Sequence, residues 1–541
     1  MAMVPVEMVS AVGVVKDQLP HELPPEALSD VLNVRFADGA IRKVKGRSQQ
    51  LGTPQVAPLW LLPWNEPSGY KWIYAGTAQV WMTTLGGTHT NITRYTTNPG
   101  DNDYTASSTS VWSGGVLNGV PILNHDGGSD YPQRWNPSTQ RLQDLDNWPS
   151  GAYCRIIRPF QNFLVALDLT EGGTRYPYRV RWSDVADPGT VPGSWNEADP
   201  TTLAGTQELA DTAGYVVDGL ALGRSFVIYK EDSIYLMTPT GNFVYPFRFD
   251  RVTTVMGILA PRCAKEFNKM HFLVGNNDIV VFDGQRVQSV TRSRVRRWFY
   301  QNLDPAYSRR VFVVADYVFH EMLVCFPQQG TTTGFADTAL VWNWEEDTWS
   351  VRELPNVAHI GYGQLDLTGG DSFDASAGVT FDNDTGPFGF GGLDPVSLRL
   401  VGAVYDTTSP KLLYLRDDSY TDEAGNAYTS RVERLGLAVA GRARSGEPKV
   451  DPAAIKFVRR VYPKVSWSGG TPPTLNIYVG GQDTPDGSVT WQGPFTFNPG
   501  SQEYVDCSVN ARYLAWRVED SGSVAWRLTG LVFDLDVVGV L

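Results

Sequence analysis

Five arginines fall within a short stretch of an otherwise acidic chain: Arg286, Arg292, Arg294, Arg296 and Arg297, in RVQSVTRSRVRR. Alternate residues of an extended strand share a face, so Arg292, Arg294 and Arg296 would stand in a row. Guanidinium groups grip phosphates and carboxylates through paired hydrogen bonds. The stretch therefore reads in three ways. It is a contact for DNA phosphates, an interface with an acidic neighbouring subunit, or a strand edge that charge keeps from pairing.

Other chemistry is not legible. Trp342–Ser350, WNWEEDTWS, partly resembles the Asp-box turn of sialidase propellers, but it lacks the glycine and occurs once. A blade-closing turn with tryptophans packed between blades is the simpler reading. Glycoside hydrolysis needs two carboxylates flanking the scissile bond, and no spacing singles out a pair. Asp382-Asn383-Asp384-Thr385-Gly386 lacks the third ligand and the later Glu of a calcium loop and reads as a turn. Histidines such as His21, His125, His271 and His320 stand alone, without the spacing of a zinc site. Cys154, Cys263, Cys325 and Cys507 form no CxxC pair and read as small buried apolar residues. No catalytic, cofactor or metal residues are expected.

The elements that would position these residues are strands. Phe226–Met237, FVIYKEDSIYLM, and Phe272–Asp283, FLVGNNDIVVFD, repeat one another. Phe226 falls on Phe272, Asp232 on Asp278 and Ile234 on Val280, a spacing of 46 (278 − 232 = 46). A strand–turn–strand unit at that interval indicates a β-propeller blade. Similar pairs recur at 71–83, 120–135, 162–184, 311–350 and 400–418, so six or seven blades are expected. The interval 361–395 shows no readable strand and reads as an insertion, a candidate gate or tip.

Val34–Lys45 alternates around Asp38-Gly39, a strong hairpin signal. The preceding EALSDVLNV, from Glu26, has room for one or two helical turns. Beyond residue 430, short alternating strands such as Leu475, Ile477 and Val479 suggest a β-sandwich. The expected fold class is all-β: an irregular β-propeller platform with an additional C-terminal β-sandwich-like domain. The expected organisation is an entry segment at 1–58 packing on the platform, the platform at 59–430, and the sandwich at 431–541.

Composition narrows the function. With 45 basic against 58 acidic residues the net charge is −13, which argues against sequence-specific DNA binding. It leaves room for DNA that slides past. No apolar run is long enough for a membrane span. The opening residues, with Glu7 in place of an apolar core, do not read as a secretory signal. Cysteines without disulfide spacing fit synthesis in a reducing cytoplasm.

At Leu23–Gln50 the chain resembles the opening of tail nozzle proteins of tailed bacteriophages, also known as tail tubular protein B or phage stabilisation protein. The phrase is a Pro-rich lead, then Asn33-Val34-Arg35, the Asp38-Gly39 hairpin and Lys45-Gly46-Arg47. Val341–Pro355 is similar to blade segments of that family. The resemblance implies a structural protein of the virion tail, made in the host cytoplasm, with no catalysis and no cofactor. It implies a homo-oligomer, a hexameric ring, beneath the portal and a head-to-tail adaptor ring. Further partners would be tail fibre, spike or needle proteins, and double-stranded DNA would pass non-specifically during ejection. The alternatives are a propeller glycan hydrolase and a receptor-binding adhesin of a phage tail.

Overall fold

The computed structural model describes residues 2–7, 9–66, 68–94, 103–365, 398–442, 448–468 and 470–540. The fold is all-β, propeller-like, with a β-sandwich. Among the described residues, five sheets are four-stranded antiparallel meanders, spanning 60–91, 112–144, 152–208, 216–253 and 264–289.

Why these stretches are strands follows from burial on both faces. In Phe163–Glu171, Val165 and Leu167 pack with Phe226, Ile228, Tyr235 and Met237 of the next sheet. The intervening Leu164 and Ala166 pack with Ile122, Cys154, Trp148 and Trp195 on the other side. A strand between two packed sheets has no solvent face, so it reads as a continuous apolar run.

The repeated hairpin forms, with a correction to its register. Tyr229 pairs with Ile234, and Val274 pairs with Ile279. Each loop is closed by a backbone hydrogen bond, Lys230 N to Ser233 O at 2.9 Å and Gly275 N to Asp278 O at 3.0 Å. Equivalent residues therefore stand 45 apart (274 − 229 = 45), and the match of Phe226 to Phe272 is one residue out. Loop closure fixes the pairing, and a one-residue shift exchanges the two faces of a strand. In these hairpins both faces are apolar, so the sequence pattern cannot detect the slip.

The chain folds as two compact units. One comprises Met1–Ser48, Arg262–Asn356 and Arg416–Leu541; the other comprises Gln49–Pro261 and Val357–Leu415. The linear division at residues 58 and 430 does not follow these units. Both ends of the chain lie in the first unit and build its sandwich together. One sandwich sheet runs Val34–Ala37, Ala40–Lys43, Arg527–Val540, Ala454–Ser466, Val505–Ala511, with Ala2–Glu7 also paired to Arg527–Val540. The other runs Asp30–Leu32, Ser430–Leu437, Tyr513–Asp520, Leu475–Gln482, Thr490–Phe497. Leu475, Ile477, Val479, Trp516, Leu531, Phe533 and Leu535 are buried, as the alternation requires.

Two local expectations meet different outcomes. Asp38 and Gly39 adopt φ of 51° and 66° between the paired Ala37 and Ala40, the tight turn that the Asp-Gly dipeptide favours. The helical turns expected after Pro25 are absent. Asp30–Leu32 is a strand paired with Ser430–Leu437, and Asn33 turns the chain at φ 53°. A tertiary partner some four hundred residues away overrides a weak local propensity. The strand Thr348–Gln364 continues into the interval expected to be irregular. The rest of the expected insertion, with Asp382–Gly386, lies outside the described residues.

In the second unit Trp72 is fully buried among Leu61, Tyr74, Val401, Ala403 and Leu412, and its indole N–H donates to Gln364 O at 2.9 Å. Trp72→Ala removes that packing and leaves a carbonyl without its donor. We expect a loss of about 3–5 kcal/mol, read as a lower guanidinium unfolding midpoint.

Candidate functional site

The arginine stretch does not extend as a strand. Val287–Ser289 is the last strand of its sheet, Arg292 and Ser293 turn the chain at φ 45° and 60°, and a helix begins at Arg296 (Arg296–Asn302). The expected row of Arg292, Arg294 and Arg296 is therefore not formed. Two carboxylates decide this. Asp347 binds Arg294 (Nη2–Oδ1, 2.8 Å) and Arg292 (Nη1–Oδ2, 3.1 Å) and accepts from the Trp342 indole at 3.0 Å. Asp17 accepts from the backbone N–H groups of Arg297 and Trp298 at 2.8 and 2.9 Å, capping the helix.

Arg294 is accordingly a structural residue, its side chain 12 % exposed, while that of Arg292 stays 63 % exposed. Arg286, Arg296 and Arg297 are also exposed. The turn thus offers four outward guanidinium groups in the first unit. The WNWEEDTWS segment is a hairpin turn whose Trp342 stacks on Phe272 at 5.6 Å, in agreement with the packing reading.

The stretch from Asn33 to Arg47 resolves into a set of anchors, most of them buried. Arg35 meets Glu321 through two hydrogen bonds, Nε–Oε1 at 2.6 Å and Nη2–Oε2 at 2.9 Å, and Arg352 Nη2 donates to the same Oε1 at 2.5 Å. Asp316 and Arg416 pair beside them at 3.4 Å, and the Arg35 guanidinium lies 3.4 Å from the Phe319 ring centre. All five charged side chains are buried. Burial by itself would push the Glu321 carboxyl up, but the Arg35 and Arg352 guanidiniums outweigh it and hold it down at about 2. Asp316 goes the other way: burial pushes it up, and the guanidinium of Arg416 offsets only part of that.

Asn33 extends the anchoring. Its Nδ2 donates to Thr429 O at 2.8 Å and Glu353 Oε2 at 3.1 Å, and its Oδ1 accepts from Glu353 N at 2.9 Å. Lys43 is buried against Asp520 at 2.5 Å, and the Trp526 indole donates to the same carboxylate at 3.1 Å. Gly46 leaves no room for a side chain, since a Cβ would lie 2.5 Å from Thr421 O. Arg47 binds Glu423 at 2.5 Å.

Sequence reasoning found Arg35 through the phrase but missed Glu321 and Arg352. The available signal was a charge set in an apolar strand, in EMLVCF and in WSVREL. Cys154, Cys263 and Cys325 are buried, Cys507 is half-buried, and all four are free thiols. Burial pushes the Cys154 and Cys325 thiols up, away from reactivity. Among the described residues no group of three or more His, Cys, Asp or Glu is placed to hold a metal ion. No protein-family model matches the chain, and no curated protein matches it.

The pH dependence of the anchor follows from its carboxylate. Because Glu321 ionises more readily in the fold than its ordinary value of 4.5, its charge favours the folded state above that pH. That contribution fades as pH falls towards 2. Glu321→Gln is expected to destabilise the protein by about 3–5 kcal/mol at neutral pH, leaving two buried guanidiniums short of a partner. The gap between wild type and variant should narrow steadily between about pH 5 and pH 2. Denaturant titrations across that range check it; a constant gap refutes the role of the charge.

The exposed arginines carry the opposite expectation. Arg292→Ala with Arg297→Ala should change stability by no more than about 0.5 kcal/mol. Arg294→Ala, which strips the better-buried partner from Asp347, should cost more, and thermal melts of the two variants beside the wild type check the difference.

Proposed function

We propose that the chain is a structural subunit of a bacteriophage tail nozzle. Six copies would form a ring beneath the portal and adaptor, close the channel, and conduct double-stranded DNA during ejection. The role asks for no catalysis and no cofactor. The observation that carries this reading is the use made of the resembling phrase. Asn33, Arg35, Lys43, Gly46 and Arg47 all serve as anchors, holding the N-terminal strands in the sandwich and against the strands at 321–326 and 348–353. A phrase spent on rigidity suits a subunit whose work is mechanical.

Charge supports the same reading. With a net charge of −13 per subunit, acidic residues on a channel wall would repel phosphate, so that DNA would slide without sticking. Against that background the exposed turn of Arg286, Arg292, Arg296 and Arg297 suits contact with an acidic face of a neighbouring subunit or of the adaptor. Tail fibre, spike or needle proteins would attach to the same assembly in the virion.

Sedimentation of the purified chain with its cognate portal–adaptor complex tests the proposal. The expected result is a complex carrying six copies of the chain. A chain that stays monomeric in that mixture, or that turns over sialosides or capsule oligosaccharides, overturns it.

A further inference from the structure

Three arginines lie side by side on one sandwich sheet. Arg35 pairs with Arg42 across Val34–Ala37 and Ala40–Lys43, and Arg42 pairs with Arg527 across to Arg527–Val540. Directly opposed residues share a face, and like charges placed so repel. Only part of this repulsion is answered within the chain. Arg35 has Glu321, and Arg42 has the exposed carboxylate of Asp38. Arg527 has the Asp38 carbonyl at 2.9 Å and, among the described residues, no carboxylate. The Nε–H groups of Arg42 and Arg527 are buried without an acceptor.

The row opens into a cleft of about 600 Å³ within the first unit, in the size range of small-ligand sites. Its walls are mixed in a specific way. Trp467 and Phe319 supply apolar ring surface, and Ser466 and Ser468 supply hydroxyls. Asp38, Glu345 and Glu346 also line it, and Asn343 Oδ1 fixes the last two by accepting from their backbone N–H groups at 3.0 and 2.9 Å. Tyr420, also in the lining, is held at φ 56°, a conformation a bulky side chain adopts only where its surroundings impose it.

We propose that this cleft binds an acidic sugar, a saccharide unit bearing a carboxylate. The carboxylate would bridge Arg42 and Arg527 and relieve their repulsion. The apolar face of the sugar ring would lie against Trp467, and its hydroxyls would donate to Glu345 and Glu346. An acidic peptide or a nucleic acid fits less well, because its repeated negative charges would meet the three carboxylates of the lining. A neutral sugar would leave Arg527 without a carboxylate. The site is independent of ring assembly, and its test does not depend on the nozzle reading.

Calorimetric titration of the full chain with a trisaccharide bearing a single galacturonate, with neutral galactotriose and with hexaglutamate decides the matter. Binding of the trisaccharide with the single galacturonate alone is expected. Arg527→Gln and, separately, Trp467→Ala should each weaken it by about tenfold, the loss of one charge-assisted or packing contact. Trp467 is half-buried in a loop, so that variant keeps the fold, and an unchanged melting temperature verifies it. No binding of the singly acidic trisaccharide, equal binding of the neutral sugar, tighter binding of hexaglutamate, or full binding by both variants would each overturn the proposal.

Discussion

The pairing of Arg35 with Glu321, shared by Arg352, is the constraint on which the first unit depends. Charges taken out of water are costly, and their attraction repays that cost only when geometry and hydrogen bonds are complete. Here the carboxylate accepts three donors from two guanidiniums. Its value lies in what it forbids. A slip of one residue in Val34–Ala37 would carry Arg35 to the opposite face and leave Glu321 and Arg352 mismatched in the interior. The pair therefore fixes the register of an N-terminal strand against strands almost three hundred residues away. Once Arg35 is placed, Asn33 and Lys43 fall within reach of Glu353 and Asp520.

The same placement sets up the arginine row. The Asp38-Gly39 turn fixes which residues of the hairpin oppose each other, so Arg42 must stand beside Arg35. The C-terminal strand then brings Arg527 alongside. The interior guanidinium is satisfied by Glu321, and the outer ones face a cleft. Rigidity inside and, outside, an arginine with only a carbonyl for partner are thus two results of one register.

Much of the fold was legible because stacked sheets leave a strong signature. Strands buried on both faces read as apolar runs, and the turns between them read as polar breaks. The hairpins at 226–237 and 272–283 and the Asp-Gly turn were visible for that reason. The spacing of 46 was misread by one because residues with apolar neighbours on both sides carry no mark of which face they occupy. Asp30–Leu32 looked helical since its partner strand lies far along the chain. The arginine stretch looked extended because nothing near it announces Asp347 and Asp17.

By itself the sequence determined the all-β class, the hairpin units, the burial of Cys154, Cys263 and Cys325, and the acidic balance. These follow from local patterning and composition, which need no knowledge of distant contacts. Tertiary structure decided the rest. It joined both chain ends in one sandwich, turned the arginine stretch onto Asp347, and brought Arg35 to Glu321 and Arg42 to Arg527. Each of those outcomes is a pairing between residues tens to hundreds of positions apart, and such pairings are set by register and burial in the folded chain, which local pattern does not encode.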